Sequence, residues 1–447
     1  MSKDKIKVGA EAVYDAKKLG TSKMLVLGLQ HVFAMFGATV LVPTLTGLSV
    51  STTLLFAGIG TLLFHLLAKG KVPAFLGSSF AFLAGYWALA PNGEKELLPY
   101  ACFGVACAGL VYLVIAALFK LFGSSKVMRY FPPIVTGPII IAIGLTLSQS
   151  AIDNCAASWG VALVAIIVVI ICNIWGKGMI KIIPILMGVI VSYIVGAIAG
   201  QVDFTPVKEA AWIGSPIEWD RTVFSLFGHA DTHLMITAVI TIVPIAIATI
   251  VEHIGDISAI SSTVGENYIK DPGLHRTLCG DGLATTVASL FGAPANTTYG
   301  ENTGVLTLTK VYDPVVIRLA AVFAIVFSFC PKLSALISVM PAATMGGVSL
   351  VLYGMISAVG VRNVVENKVD FAKSRNVIIA ALILVLSIGI KYSAAGAIVI
   401  PVGEASISLS GLAIGSLVGI LLNAILPGKD YVFTEGEPND THVNFEV

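Results

Sequence analysis

The stretch from Pro294 to Lys310 reads Pro-Ala-Asn-Thr-Thr-Tyr-Gly-Glu-Asn-Thr-Gly-Val-Leu-Thr-Leu-Thr-Lys, and apolar segments flank it on both sides. It is itself polar, with one proline, two glycines, two asparagines and one carboxylate, Glu301. Such residues break regular backbone. At bilayer depth, broken backbone is tolerated only where protein buries it or a wet cavity receives it. An ionisable residue at that depth points to function.

Working outward, the surroundings are those of a membrane protein. Of 447 residues, 56% are hydrophobic and only 12% are charged, against about 25% charged in soluble domains. Apolar runs of about 20 residues, each enough to cross a bilayer, recur along the chain. The reading is an all-α polytopic membrane protein with fourteen segments. Their expected spans are 24–45, 51–68, 74–91, 99–122, 131–150, 158–175, 180–200, 233–255, 278–292, 295–309, 315–331, 335–357, 374–391 and 407–427. Segments three and ten are the shortest in apolar content and are interrupted by glycine.

Charge supports this count. With the N-terminus inside, 22 of the 27 lysines and arginines fall on the cytoplasmic side, as the positive-inside rule requires. Residues 1–23 and 428–447 are then cytoplasmic, and the connection 201–232 lies outside. The net charge of +1 offers no basic face for nucleic acid. Six scattered cysteines form neither a metal-spaced cluster nor a disulfide framework, so no metal and no cofactor is expected. Neither a His-Glu-x-x-His nor a Gly-x-Ser-x-Gly pattern occurs, which argues against an intramembrane enzyme.

An internal repeat follows. His31 and Glu252 are 221 residues apart, as are Pro73-Ala74 and Pro294-Ala295, and Phe80 and Glu301. Two halves of seven segments must have opposite orientation. Inverted repeats with interrupted segments at matching positions point to a secondary transporter with a midplane site.

Several residues could carry the chemistry. Glu301 follows Gly300 where the helix would restart, so its carboxylate sits beside unpaired backbone N–H groups. That set of donors and acceptors suits a small planar ligand. Glu252 and Asp256 are four apart and share a helix face, with His253 between them. Burial and a like-charged neighbour both favour the protonated form of a carboxyl, so this face can hold a proton. Asp281, in Gly-Asp-Gly-Leu, and His31 are candidates for supporting roles. Phe80, in Gly-Ser-Ser-Phe-Ala-Phe, could stack on a flat heterocycle.

Glu301-Asn302-Thr303-Gly304 with Thr309-Lys310 resembles the signature of the nucleobase–ascorbate transporter family. Leu29-Gln30-His31, Gly77-Ser78-Ser79-Phe80, Glu252-His253 and Asn296-Thr297-Thr298-Tyr299-Gly300-Glu301 are similar to its bacterial uracil-permease branch. The resemblance implies two inverted seven-segment repeats with short strands in segments three and ten. It also implies a core domain of segments 1–4 (24–122) and 8–11 (233–331). A gate domain of segments 5–7 (131–200) and 12–14 (335–427) would pack against it, in a homodimer. It implies proton-coupled uptake of uracil, bound by Glu252 and Glu301, with backbone at Phe80 and Gly300 completing the pocket. Ala38 and Tyr353 would line it, Tyr299 would belong to it, and His31 and Asn302 would act from behind it. One departure stands out: Asp256 occupies a position where some uracil permeases have histidine. A xanthine or uric acid permease is the alternative within the family, and an anion carrier of similar architecture lies beyond it. Glutamate opening the signature favours uracil, because a carboxylate accepts from ring N–H groups while an amide also donates.

Overall fold

A computed structural model of the chain describes residues 8–9, 11–402, 405–429 and 431. After a short 3-10 turn (Ala16–Leu19), helices α1 (Thr21–Thr46) and α2 (Val50–Leu67) form the first pair. The chain then extends through strand β1 (Leu76–Ser78) into the short helix α3 (Leu83–Leu89). Next come α4 (Leu98–Phe122), α5 (Ser124–Met128), α6 (Pro133–Ala156), α7 (Trp159–Ile174), α8 (Met179–Ile182) and α9 (Pro184–Ile198). The long connection carries α10 (Thr205–Glu209). It leads to α11 (Thr232–Ile242), α12 (Ala246–Val264) and α13 (Leu274–Leu290). Strand β2 (Asn296–Thr298) opens into α14 (Gly300–Thr309), followed by α15 (Pro314–Ser328), α16 (Pro331–Ser338), α17 (Ala342–Glu366) and α18 (Ser374–Lys391). A hairpin, β3 (Ala397–Val402) and β4 (Ala405–Ser410), precedes α19 (Gly411–Ile425).

Among the described residues, seven helical stretches are long and apolar enough to cross a membrane, or eight if the bent pair α15–α16 counts as one. Helices α7, α9 and α19 are apolar but shorter. Two expected spans are redrawn. Segment eight does not end near residue 255: α11 and α12 run on as one apolar stretch from Thr232 to Val264, turned at Pro244. Segment twelve divides: its first residues, 335–338, belong to α16, which lies at 85° to α15, and α17 begins only after Pro341.

Local chemistry sets the breaks. Gly47 ends α1 in the left-handed region at φ 81°, donating to Pro43 O. Such a φ carries no Cβ penalty in glycine. Ser49 caps α2 by accepting from Thr52 N, as N-cap serines do. Beyond α2, Pro73 offers no N–H to a helix, and the extended chain finds its partners sideways. Leu76 N donates to Thr61 Oγ1 at 2.9 Å, and His65 Nε2 meets Ala74 O at 2.9 Å. Outside the spans, Lys71 pairs with Asp271 and holds that carboxyl below its ordinary range.

The helices pack as two sets. In one, α13 lies against α4 and α2, and α15 against α2 and α1. In the other, α6 lies against α17, α18 and α19, and α7 against α9 and α17. Close backbone approach builds the second set: a side chain at Gly144 would strike the Tyr353 carbonyl, and one at Gly360 would strike the backbone of α6 at Ile141. Small residues at helix contacts are the usual means of packing in lipid, where apolar burial drives little association.

Candidate functional site

Strands β1 and β2 meet antiparallel, pairing Leu76 with Thr298, Gly77 with Thr297 and Ser78 with Asn296. Ser79 N→Ala295 O (2.8 Å) and Tyr299 N→Phe75 O (3.0 Å) extend the ladder. Two interrupted segments thus satisfy each other's backbone, the condition for non-helical chain inside a bilayer. Asn296 is buried and donates from Nδ2 to Phe56 O at 2.8 Å, while its carbonyl accepts from Thr285 Oγ1 at 2.6 Å. The crossing is therefore tied to α2 and α13.

Strand β2 ends where a helix begins. Helix α14 starts at Gly300 with no side chain capping its first turn, and the first four N–H groups of a helix have no intrahelical acceptor. Gly300 is exposed, and a Cβ built there meets no described atom within 4 Å. The start of α14 therefore opens onto free space. Glu301 is the second residue of that helix; its side chain lies outside the described part of the structure.

Tyr299 turns the other way. Its hydroxyl donates to Ser78 O at 2.9 Å and receives Thr39 Oγ1 at 3.3 Å. Ser78 Oγ donates to Thr39 O at 2.9 Å and to Ala38 O at 3.3 Å. Tyr299 and Ala38 thus belong to a latch that holds β1 on α1. Phe80 is buried just past β1, and its ring meets Tyr353 edge to face, with centroids 5.7 Å apart. That contact joins the two helix sets beside the crossing.

Helix α12 packs against β2 and α14 and carries three of the polar candidates. Glu252 is half-buried. His253 is fully buried, its Nδ1 2.7 Å from Asp281 Oδ2 on α13. The approach is ion-pair close, although the ring N–H is poorly aligned for a hydrogen bond. Asp256 accepts from Thr298 Oγ1 of β2 at 2.7 Å. Sequence reading sets Asp256 near the end of its span, whereas α12 continues to Val264. Its polar run faces protein, which a hydropathy profile reads as a terminus. On the other side of α14, Asn302 Nδ2 reaches His31 Nδ1 at 3.1 Å and His31 O at 3.2 Å. With the amide so placed, Nδ1 accepts. His31 thus holds α14 one residue beyond Glu301.

Thr39, Ser78, Thr61, Asn296 and Thr298 form this scaffold, yet sequence reasoning assigns none of them a role. Their types give no signal. Most hydroxyls in these helices bond back to their own turn, as Thr44 does to Val40 O and Thr46 to Val42 O, and spacing cannot separate those from Thr39.

A permease family model, described as "Permease family", matches residues 22–396. The uracil permease of Bacillus caldolyticus is 43% identical over 416 residues, covering 91% of this chain and 92% of its own. That of Bacillus subtilis (strain 168) is 40% identical over 96% of this chain and 97% of its own. The uracil permease of Escherichia coli (strain K12) is 38% identical over 89% and 90%. The chain belongs to this permease family. Within it, the sequence lies in the bacterial uracil permease branch, and the protein is a multi-pass membrane protein. Solved structures of similar fold include the transmembrane domain of a cyanobacterium bicarbonate transporter, BicA, with TM-score 0.55 and 16% identity over 92% of this chain and 99% of that one. Murine solute carrier 26 family member A9, an anion transporter in the inward-facing state, has TM-score 0.59 and 12% identity over 90% and 67%. At such identities the likeness extends to the fold alone.

Proposed function

We propose that the protein imports uracil together with a proton by alternating access. The observation that carries the site is the strand crossing, where α14 begins uncapped at Gly300 beside free space, with α12 packed against it and Asp256 of α12 bonded to Thr298 of β2. Uracil presents two ring N–H donors and two carbonyl acceptors. Glu252 and Glu301 accept the N–H bonds, and the backbone amides at Gly300 and Phe80 donate to the carbonyls. Charge-assisted bonds of this kind are about twice as strong as neutral ones. The names of the relatives favour uracil over xanthine or uric acid. Two carboxylates also disfavour an anion, despite the fold shared with anion carriers.

The proton travels on the α12 cluster of Glu252, His253 and Asp256, with Asp281 behind it and Asn302 and His31 steadying α14. One charge moved across the membrane gains about 2.3 kcal/mol per 100 mV. Transport needs a fixed part and a moving part. The set built on α1–α4 and α11–α15 serves as the core domain, and that built on α6, α7, α9 and α17–α19 as the gate domain. Phe80–Tyr353 is a contact between them.

Fourteen segments in two inverted repeats remain our reading of the topology. The strand register supports it: an offset of 221 carries the pair Leu76–Thr298 onto the pair Gly77–Thr297. Both termini are cytoplasmic in the cell membrane, and the chain works as a homodimer.

The test is uptake of labelled uracil into proteoliposomes, with and without an inward proton gradient. The gradient should drive accumulation, an excess of unlabelled xanthine should compete poorly, and recovered uracil should be chemically unchanged. In the same assay Gly300→Ala should fold normally, because the added methyl meets open space. It should nonetheless raise the half-saturation concentration about tenfold, through roughly 1.4 kcal/mol of crowding against the bound base. Unchanged uptake kinetics would move the base away from α14.

A further inference from the structure

The first described residues tie down the far ends of the two site helices. Gly9 N donates to Thr309 O at 2.9 Å, Val13 N to Lys310 O at 2.8 Å, and Tyr312 N returns a bond to Val13 O at 2.8 Å. Val13 and Val311 form a parallel bridge. Ala16 N donates to Asp313 Oδ2 at 2.8 Å. Tyr14 reaches across to α12, donating from its hydroxyl to Val264 O at 2.7 Å, while its ring leans on Tyr312 with centroids 5.5 Å apart. Val13, Ala16 and Leu19 anchor the segment in a small apolar cluster with Leu27, Val311 and Val316.

The bonded carbonyls share one property. Thr309 and Lys310 end α14, and Val264 ends α12. The last four carbonyls of a helix lack intrahelical donors. A single segment therefore supplies donors to the C-terminal ends of both α12 and α14. At about 1.5 Å of rise per residue, Val264 lies roughly 18 Å along α12 from Glu252, and Thr309 roughly 12 Å along α14 from Glu301.

We propose that Gly9 and residues 11–16 are a positioning strap, with Tyr14 as its link to α12. By fixing the two helix ends, the strap sets how far apart Glu252 and Glu301 stand at the substrate. The inference rests on the site proposed above. Tyr14 touches no substrate and acts through α12.

Tyr14→Phe keeps the ring on Tyr312 and removes only the hydroxyl bond to Val264. In proteoliposomes it should raise KM for uracil about three- to tenfold, the loss of one hydrogen bond's worth of ordering, with Vmax and apparent melting temperature unchanged. Ala16→Pro, which removes a second strap donor at a position where proline suits a helix start, should shift KM the same way. An unchanged KM in both variants overturns the strap, as does a fall in Vmax and melting temperature with KM constant. Glu301→Gln, run alongside, separates the two readings. If it weakens uracil binding while both strap variants bind normally, the strap alone is wrong; if Glu301→Gln binds normally, the site itself is.

Discussion

Glu301→Gln is expected to raise the uracil dissociation constant about tenfold to a hundredfold, and Glu252→Gln to do at least as much. A hydrogen bond to a charged group contributes about 1.5–3 kcal/mol, and each 1.4 kcal/mol is about a factor of ten in affinity. Glutamine keeps one acceptor oxygen but adds an NH2 donor. Facing a ring N–H, that donor leaves the base poorly satisfied. Calorimetric titration of purified protein reads the change directly. If affinity stays normal in either variant, that carboxylate does not hold the base. Glu252→Gln should in addition uncouple uptake from the proton gradient if α12 carries the proton, whereas Glu301→Gln should weaken binding and leave coupling intact.

The second large effect concerns folding. Asp281→Ala strands His253 in a fully buried position beside Phe64, whose ring packs edge to face at 6.3 Å. Removing one partner of a buried pair costs about 3–5 kcal/mol, because the other is left uncompensated. The expected result is a drop of several degrees in the apparent melting temperature of detergent-purified protein. Replacing both residues together, His253→Leu with Asp281→Leu, should recover much of the loss, since apolar side chains need no partner. A double variant as unstable as the sum of the singles would mean that the two side chains do not act as a pair. The pair matters to the site because it pins α12 to α13 one residue after Glu252.

Much of this architecture is legible in the amino-acid sequence, for a physical reason. Membrane spans announce themselves by length and apolarity, and breaks in them by Pro73, Gly77, Pro294 and Gly300. The 221-residue offset links the two breaks within the sequence, and β1 and β2 lie side by side there. Asp256 shows the limit. Its neighbours Gly255, Ser258 and Ser261 lower the local hydropathy, and an interior polar face looks the same as a span end. The Tyr299 latch is opaque for another reason: a tyrosine two residues before a signature glutamate reads equally well as a pocket wall or as a fastener. Only the positions of Thr39 and Ser78, 260 and 221 residues away, distinguish the two. The strap was hidden as well. Residues 1–23 read only as a cytoplasmic segment, and nothing in their spacing indicates which helix ends they would cap.

The most direct test of the shared site is a structure of the protein with uracil bound. The account predicts the base beside the β1–β2 crossing, its two N–H groups within hydrogen-bond distance of Glu252 and Glu301, and a carbonyl facing the Gly300 amide. A base held elsewhere, or one touched by only one of the two carboxylates while the other points to lipid or bulk water, would contradict it.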